Sequence, residues 1–204
     1  MYAEFDRPVH MYRGETMADI IADESRHDAD RGFVGGYYLE TLSLGPAFMA
    51  SFADPGTWGP EFAARLDAYA RTAGMWITGE DMPQETNRVT LSTTVTDQHG
   101  LPVPNVHYDD HANDVAMREH AYGQGEALYR AVGAVNVFRT PPYPSTHNLG
   151  TTRMSSSPQD GVVDAFGRAH DVPNLFVSDG SVMTTGGAAN PTLTIVALAT
   201  RQAE

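Results

Sequence analysis

Hydrophobic residues recur along this chain at two different spacings, and each spacing predicts an element. Between Gly36 and Leu44, Tyr38, Leu42 and Leu44 fall on alternate positions, the period of a half-buried strand. From Pro60 the period lengthens: Phe62, Leu66, Tyr69 and Ala73 follow one another at three- and four-residue steps, predicting a helix that starts at Pro60 and is capped by Gly74. Met75 to Thr78 is then the next strand. After the polar turn Pro83 to Thr86, Val89, Leu91, Thr93 and Val95 alternate with polar neighbours. Asp97 to Gly100 reads as a turn leading into Val103 to Tyr108, so an antiparallel pair is expected.

A helix capped by Asn113 or Asp114 should run towards Val132, burying Val115, Leu128, Tyr129 and Val132, with Gly123 and Gly125 weakening its middle. The prolines of Thr140 to Ser145, TPPYPS, stop any regular element and mark a boundary. Beyond it, Asn174 to Ser178 reads as a short buried strand, a glycine-rich loop follows, and Thr192 to Ala203 forms an almost wholly apolar helix. Asn190 is placed to cap that helix and Pro191 to be its first residue.

Composition changes this picture mainly by exclusion. The chain has 204 residues, 13 basic against 26 acidic, for a formal charge of −13, which repels the phosphates that dominate nucleic-acid affinity. Every basic residue is an arginine, so no lysine is present for a Schiff base or a phosphate-binding loop. Without cysteine there is no disulfide, thiolate metal site or thiol nucleophile. No apolar run approaches the roughly 18 residues of a membrane span, and MYAEFDRPVH lacks the pattern of a secretory signal. A soluble, cytoplasmic protein is the expectation.

The helix start GGAANPTLTIVALA is the most informative local feature. Its first turn leaves backbone N–H groups open and carries partial positive charge, which attracts an anion or an electron-rich ligand edge. Ahead of it lies STHNLGTTRM, where His147 precedes a Gly150-Thr151 turn and Arg153. A well-capped buried helix and a structural histidine are the plainer explanations of these two features taken singly.

Taken together, His147, Gly150-Thr151, VPNLFVSDGSV with Asp179-Gly180, and Asn190-Pro191-Thr192 resemble, in order and spacing, the C-terminal signature of the glucose-methanol-choline (GMC) oxidoreductases. NRVTLS at Asn87 to Ser92, LPVPNVHY at Leu101 to Tyr108 and PVHMYRG at Pro8 to Gly14 are similar to bacterial members of the family. The resemblance implies an α+β chain. Residues 1–145 would form the substrate-binding-domain portion, an antiparallel sheet with helices. Residues 146–204 would supply a catalytic strand, loop and helix that complete an FAD-binding domain.

It also implies FAD as cofactor and an alcohol, sugar or polyol as substrate. His147 would accept the hydroxyl proton, and Asn190 would hydrogen-bond the same oxygen. Asp179, Gly180, Asn190, Pro191 and Thr192 would lie along the cofactor, with the helix start facing its pyrimidine end. Two departures stand out. Ser155 occupies a position where relatives often carry glycine, so the turn there is expected to differ. The G-x-G-x-x-G turn that cradles the ADP moiety is missing, so an N-terminal FAD-binding half or subunit is the implied partner; a separately encoded subunit, a truncated gene product and a processed fragment of a longer chain all fit that pattern.

The sequence also admits two rival readings. His107, Asp109, Asp110, His111 and Asp114 form a metal-like cluster in sequence, but a strand ending near Tyr108 and a helix starting near Asn113 do not converge the ligands. The other rival is a catalytically inactive fragment or subunit that keeps the fold as a binding or structural module. Trp58 or Trp76 stacking on a sugar is a further option beside ordinary core packing.

Overall fold

A computed structural model describes residues 1–142 and 147–203. The chain divides into two compact units, Met1–Gly79 with Ala116–Pro144, and Glu80–Val115 with Ser145–Glu204.

The first unit is built on a five-stranded antiparallel sheet. Its strands are β1 (Tyr2–Glu4), β2 (Ile20–Ile21), β3 (Tyr37–Leu42), β4 (Thr72–Gly79) and, from the far side of the sequence, Asn136–Phe138. Their spatial order runs β2-β3-β4-β1 and then Asn136–Phe138. Side-chain alternation sorts the sheet into two apolar faces. Ala3, Tyr37, Leu39 and Met75 join one cluster, whereas Tyr2 and Leu42 join another with Trp76 and Phe138 at its margin. Tyr2 and Phe138 sit directly opposite in the register and stack with centroids 4.6 Å apart.

Helix α1 (Pro46–Ala53) covers the second face with Met49 and Phe52. It is followed by α2 (Pro60–Ala68). The periodic run from Pro60 was expected to stay helical as far as Ala73, but a single 3-10 turn, Tyr69–Arg71, ends it and β4 begins at Thr72. Gly74 is therefore a strand residue. A Cβ there would lie 2.6 Å from Leu42 Cδ2, so the glycine admits its neighbour from β3 rather than capping a helix. Nor is β3 half-buried: Tyr37 to Glu40 and Leu42 are all buried, because helices cover both faces of a central strand.

The other face is covered by α3 (Ala112–Ala131), whose first turn belongs to the second unit. Met117, Ala121, Tyr122 and Tyr129 form its buried stripe. Of the residues expected there, Tyr129 is buried and Leu128 partly so, whereas Val115 and Val132 are exposed. Gly125 explains why a weak helix former sits mid-helix: Met1 and Met75 place their sulfurs where its Cβ would be.

The second unit holds the expected antiparallel pair, β5 (Arg88–Thr96) and β6 (Pro102–His107), joined through Gly100 at φ 79°. Asn136–Phe138 is thus β7. His111, rather than Asn113 or Asp114, caps α3, its Nδ1 accepting the Asn113 N–H at 2.9 Å. The rest of the unit is irregular until α4 (Thr192–Ala203). Asn174–Ser178 does not form the expected strand. Phe176 makes only an isolated bridge to Arg168, and Leu175 and Phe176 are both about half exposed.

Candidate active site

All six sequence-predicted site residues lie in the second unit. His147 is exposed at the start of a segment that turns at Gly150, where φ is 83°. That backbone value favours glycine, and a Cβ would approach the Met183 carbonyl oxygen to 3.3 Å. Past the turn, the Thr152 N–H donates to Ser181 O at 3.0 Å and the Met154 N–H to Val182 O at 2.8 Å. The Thr152 and Ser181 hydroxyls also hydrogen-bond each other. The His147 segment is therefore stitched along the Asp179–Gly180 turn, although 29 residues separate the two hydroxyls.

Asp179 caps a short 3-10 turn, Gly180–Val182, by accepting the Ser181 N–H at 2.8 Å. Hydrogen bonds from the Ser181 side chain and backbone hold its carboxyl below the usual carboxylate range. Gly180 itself is buried. A Cβ on it would lie 2.7 Å from Leu149 Cδ2 and 3.1 Å from Ile195 Cδ1, and its φ is not in the left-handed region, so space rather than backbone freedom demands the glycine.

Helix α4 covers the predicted range, Thr192–Ala203. Its cap is shifted by one residue. The first ladder bond runs from the Ile195 N–H to Pro191 O at 3.0 Å, so buried Pro191 stands at the cap and Asn190 is exposed just outside. A proline fits there because no N–H is needed. The C-terminal end is anchored: Gln202 Nε2 donates to Phe166 O at 3.0 Å and Val177 O at 3.1 Å, and Arg201 lies 5.0 Å over the Phe166 ring. The N-terminal end is open. Leu193 is 83% and Val196 54% exposed, which contradicts the burial that an all-apolar helix leads one to expect.

Ser155 does not take a positive φ. Its N–H donates to Val163 O at 2.9 Å, and its side chain fills space against Gly161, where a Cβ would meet Ser155 Oγ at 2.7 Å. The turn thus accommodates serine, with a glycine facing it six residues later.

Among the described residues, no three His, Asp or Glu side chains converge to hold a metal. His107 Nε2 instead lies 3.1 Å from Asp109 Oδ2. Trp76 packs edge-on against Phe52 at 5.0 Å, in the first unit's core, whereas Trp58 is exposed.

The family model of the GMC oxidoreductases matches residues 83–199, more than half of the chain. The chain belongs to the GMC oxidoreductase family. GMC relatives include the 2-methyl-1,2-propanediol dehydrogenase of Mycolicibacterium austroafricanum, 39% identical over 93% of this chain and 36% of that protein. The fructose dehydrogenase large subunit of Gluconobacter japonicus is 33% identical over 66% of this chain and 25% of that protein. Pyridoxine 4-oxidase from Mesorbium loti shares the fold, with TM-score 0.60 and 19% identity over 99% of this chain and 40% of that one. The chain spans about a third or less of the length of these curated relatives.

GMC oxidoreductases are FAD flavoproteins in general. The second unit offers donors suited to one edge of such a group: the open N–H groups of the first turn of α4, and the exposed side chains of Asn190 and Thr192. Leu149, Thr152, Ser181 and Ile195, which tie the segments together, carried no signal in the sequence. Three of them pair irregular segments, where no periodicity marks an inward position.

Proposed function

We propose that this chain is the C-terminal portion of an FAD-dependent oxidoreductase that acts on CH–OH groups of an alcohol, sugar or polyol, and that it works with an N-terminal FAD-binding half. The observation that carries this reading is the joining, within one unit, of the His147 segment, the Asp179–Gly180 turn and the open start of α4.

In this reading FAD supplies the hydride acceptor. His147 takes the hydroxyl proton of the substrate, a task suited to imidazole because its ordinary pKa lies nearest neutrality. Asn190 donates a hydrogen bond to the same oxygen and steadies the charge that develops there. Asp179 and Gly180 would line the cofactor, and Asn190, Pro191 and Thr192 would hold its pyrimidine edge at the positive end of α4, which would stabilise negative charge there. The exposed Leu193 and Val196 face the partner half.

The reading supports a clear expectation for the isolated chain. Most cofactor contacts lie in the ADP-binding half, so purified chain should bind FAD weakly or not at all, as measured by flavin fluorescence titration. Tight, stoichiometric binding would refute the need for a partner. The rival reading, an inactive module, predicts that the chain assembled with an FAD-binding half stays unable to bleach flavin when an alcohol is added; oxidation of the alcohol excludes it.

A further inference from the structure

We infer that Leu149 is a positioning residue that sets where His147 stands relative to the Gly180 turn and the start of α4. This rests on the reading of His147 as the base and adds to it a residue through which the base is held.

Leu149 lies two residues after His147, so the backbone between them spans at most roughly 7 Å and little slack separates the base from the anchor. Its side chain reaches two turns of the site. Cδ2 fills the place of a Gly180 Cβ at 2.7 Å, and Cδ1 lies 3.4 Å from where a Gly186 Cβ would be. Ile195 Cδ1 occupies the same side of Gly180 at 3.1 Å, so Leu149 and Ile195 share one apolar joint. Each partner leads directly to a piece of the site. Gly180 follows Asp179, Gly186 opens the loop to Asn190, and the Ile195 N–H closes the first turn of α4 on Pro191 at 3.0 Å.

The neighbouring backbone lends rigidity but not direction. Gly150 turns the chain against Met183 O, and the Thr152 and Met154 bonds to Ser181 and Val182 fix the segment further on. Closer to His147, the Asn148 carbonyl oxygen lies 3.8 Å from the Gly180 Cβ position, so the backbone there follows the same turn that Leu149 fills. Leu149 is the side chain nearest in sequence to His147 for which the structure gives contacts to both the Gly180 turn and the Gly186 loop. Interior packing transmits such displacements because it leaves no slack, and a misplacement of about 1 Å costs roughly 10²-fold in rate.

The test uses the chain assembled with its FAD-binding half. Leu149→Ala should lower kcat by roughly 10²-fold with KM for the alcohol changed less than about twofold, and Leu149→Met, which refills the joint, should restore most of it. In a His147→Ala background, Leu149→Ala should cost nothing further, since it acts through the histidine. An undiminished drop in that background, a change confined to KM, or no rescue by methionine overturns the proposal. If His147→Ala alone leaves turnover intact, the base assignment fails instead. A second readout then decides Leu149 separately: in the isolated chain, the imidazole resonance of His147, assigned by its loss in His147→Gln, should move in Leu149→Ala while those of His99 and His107 do not. An unmoved His147 resonance overturns the positioning role regardless of activity.

Discussion

Thr152 and Ser181 share a hydroxyl-to-hydroxyl hydrogen bond beside a 3.0 Å backbone bond from the Thr152 N–H to Ser181 O. The pair closes the strip that carries His147 onto the turn that carries Asp179. Thr152→Val keeps the shape and removes the hydroxyl, leaving Ser181 to find another partner. It should destabilise the chain by about 1 kcal/mol. In thermal unfolding this lowers Tm by roughly 2–4 °C; no change would mean that the backbone bonds alone hold the strip.

Two glycines should respond to alanine with opposite signs. A Cβ on Gly36 would collide with the backbone of Ser25 and come within 2.6 Å of Glu24 O, neither of which can rotate away. Gly36→Ala should cost about 1–3 kcal/mol. Gly123 lies exposed within α3 with nothing inside 4 Å of its Cβ position. Gly123→Ala should gain up to about 1 kcal/mol by helix propensity alone. Chemical denaturation of both variants checks the pair, and a shared sign contradicts the assigned packing.

Tyr37 gives the fold an alkaline limit. It is 1% exposed, its hydroxyl lies 2.9 Å from His120 Nδ1, and burial pushes its phenol from 10.0 up to about 12, with Glu24 adding in the same direction. Because the folded value is raised, the neutral phenol stabilises the fold fully below pH 10, and that contribution is lost as pH climbs through 12. Denaturation midpoints should therefore fall across this window. Tyr37→Phe should reduce the slope there by one proton, while lowering stability at neutral pH through loss of the His120 bond. An unchanged slope would assign the alkaline loss to other tyrosines, such as Tyr129, whose burial raises it too.

The β5–β6 pair and α4 were legible as elements because their apolar residues repeat at a strand or helix period, although Val89, Leu91, Val95, Leu193 and Val196 stay exposed in this chain. The misjudged places are those where a second layer overrides the local pattern. β3 is buried on both faces, so alternation no longer separates inside from outside. Gly74 resembles a helix cap but serves the packing of Leu42. In the candidate site, Asn190, Pro191 and Thr192 were visible because a helix start has fixed chemistry. Leu149 and Ile195 were not, since what selects them is the shape of Gly180, which no spacing rule encodes.

The open face of α4 separates folding from assembly. Leu193 and Val196 make little use of this chain's own interior, so Leu193→Asp should alter its unfolding free energy by less than about 0.5 kcal/mol. In the proposed enzyme it should nonetheless abolish co-purification with an N-terminal FAD-binding half. Normal assembly by Leu193→Asp would show that the partner sits elsewhere.

The role of His147 bears most directly on the whole account. The chain is co-expressed with an N-terminal half carrying a dinucleotide-binding glycine turn, and the loss of flavin absorbance on anaerobic mixing with alcohol is followed. The account predicts yellow protein whose flavin is bleached by alcohol, and a His147→Ala rate roughly 10²–10⁴-fold slower. A yellow complex bleached equally fast with and without the histidine would contradict it.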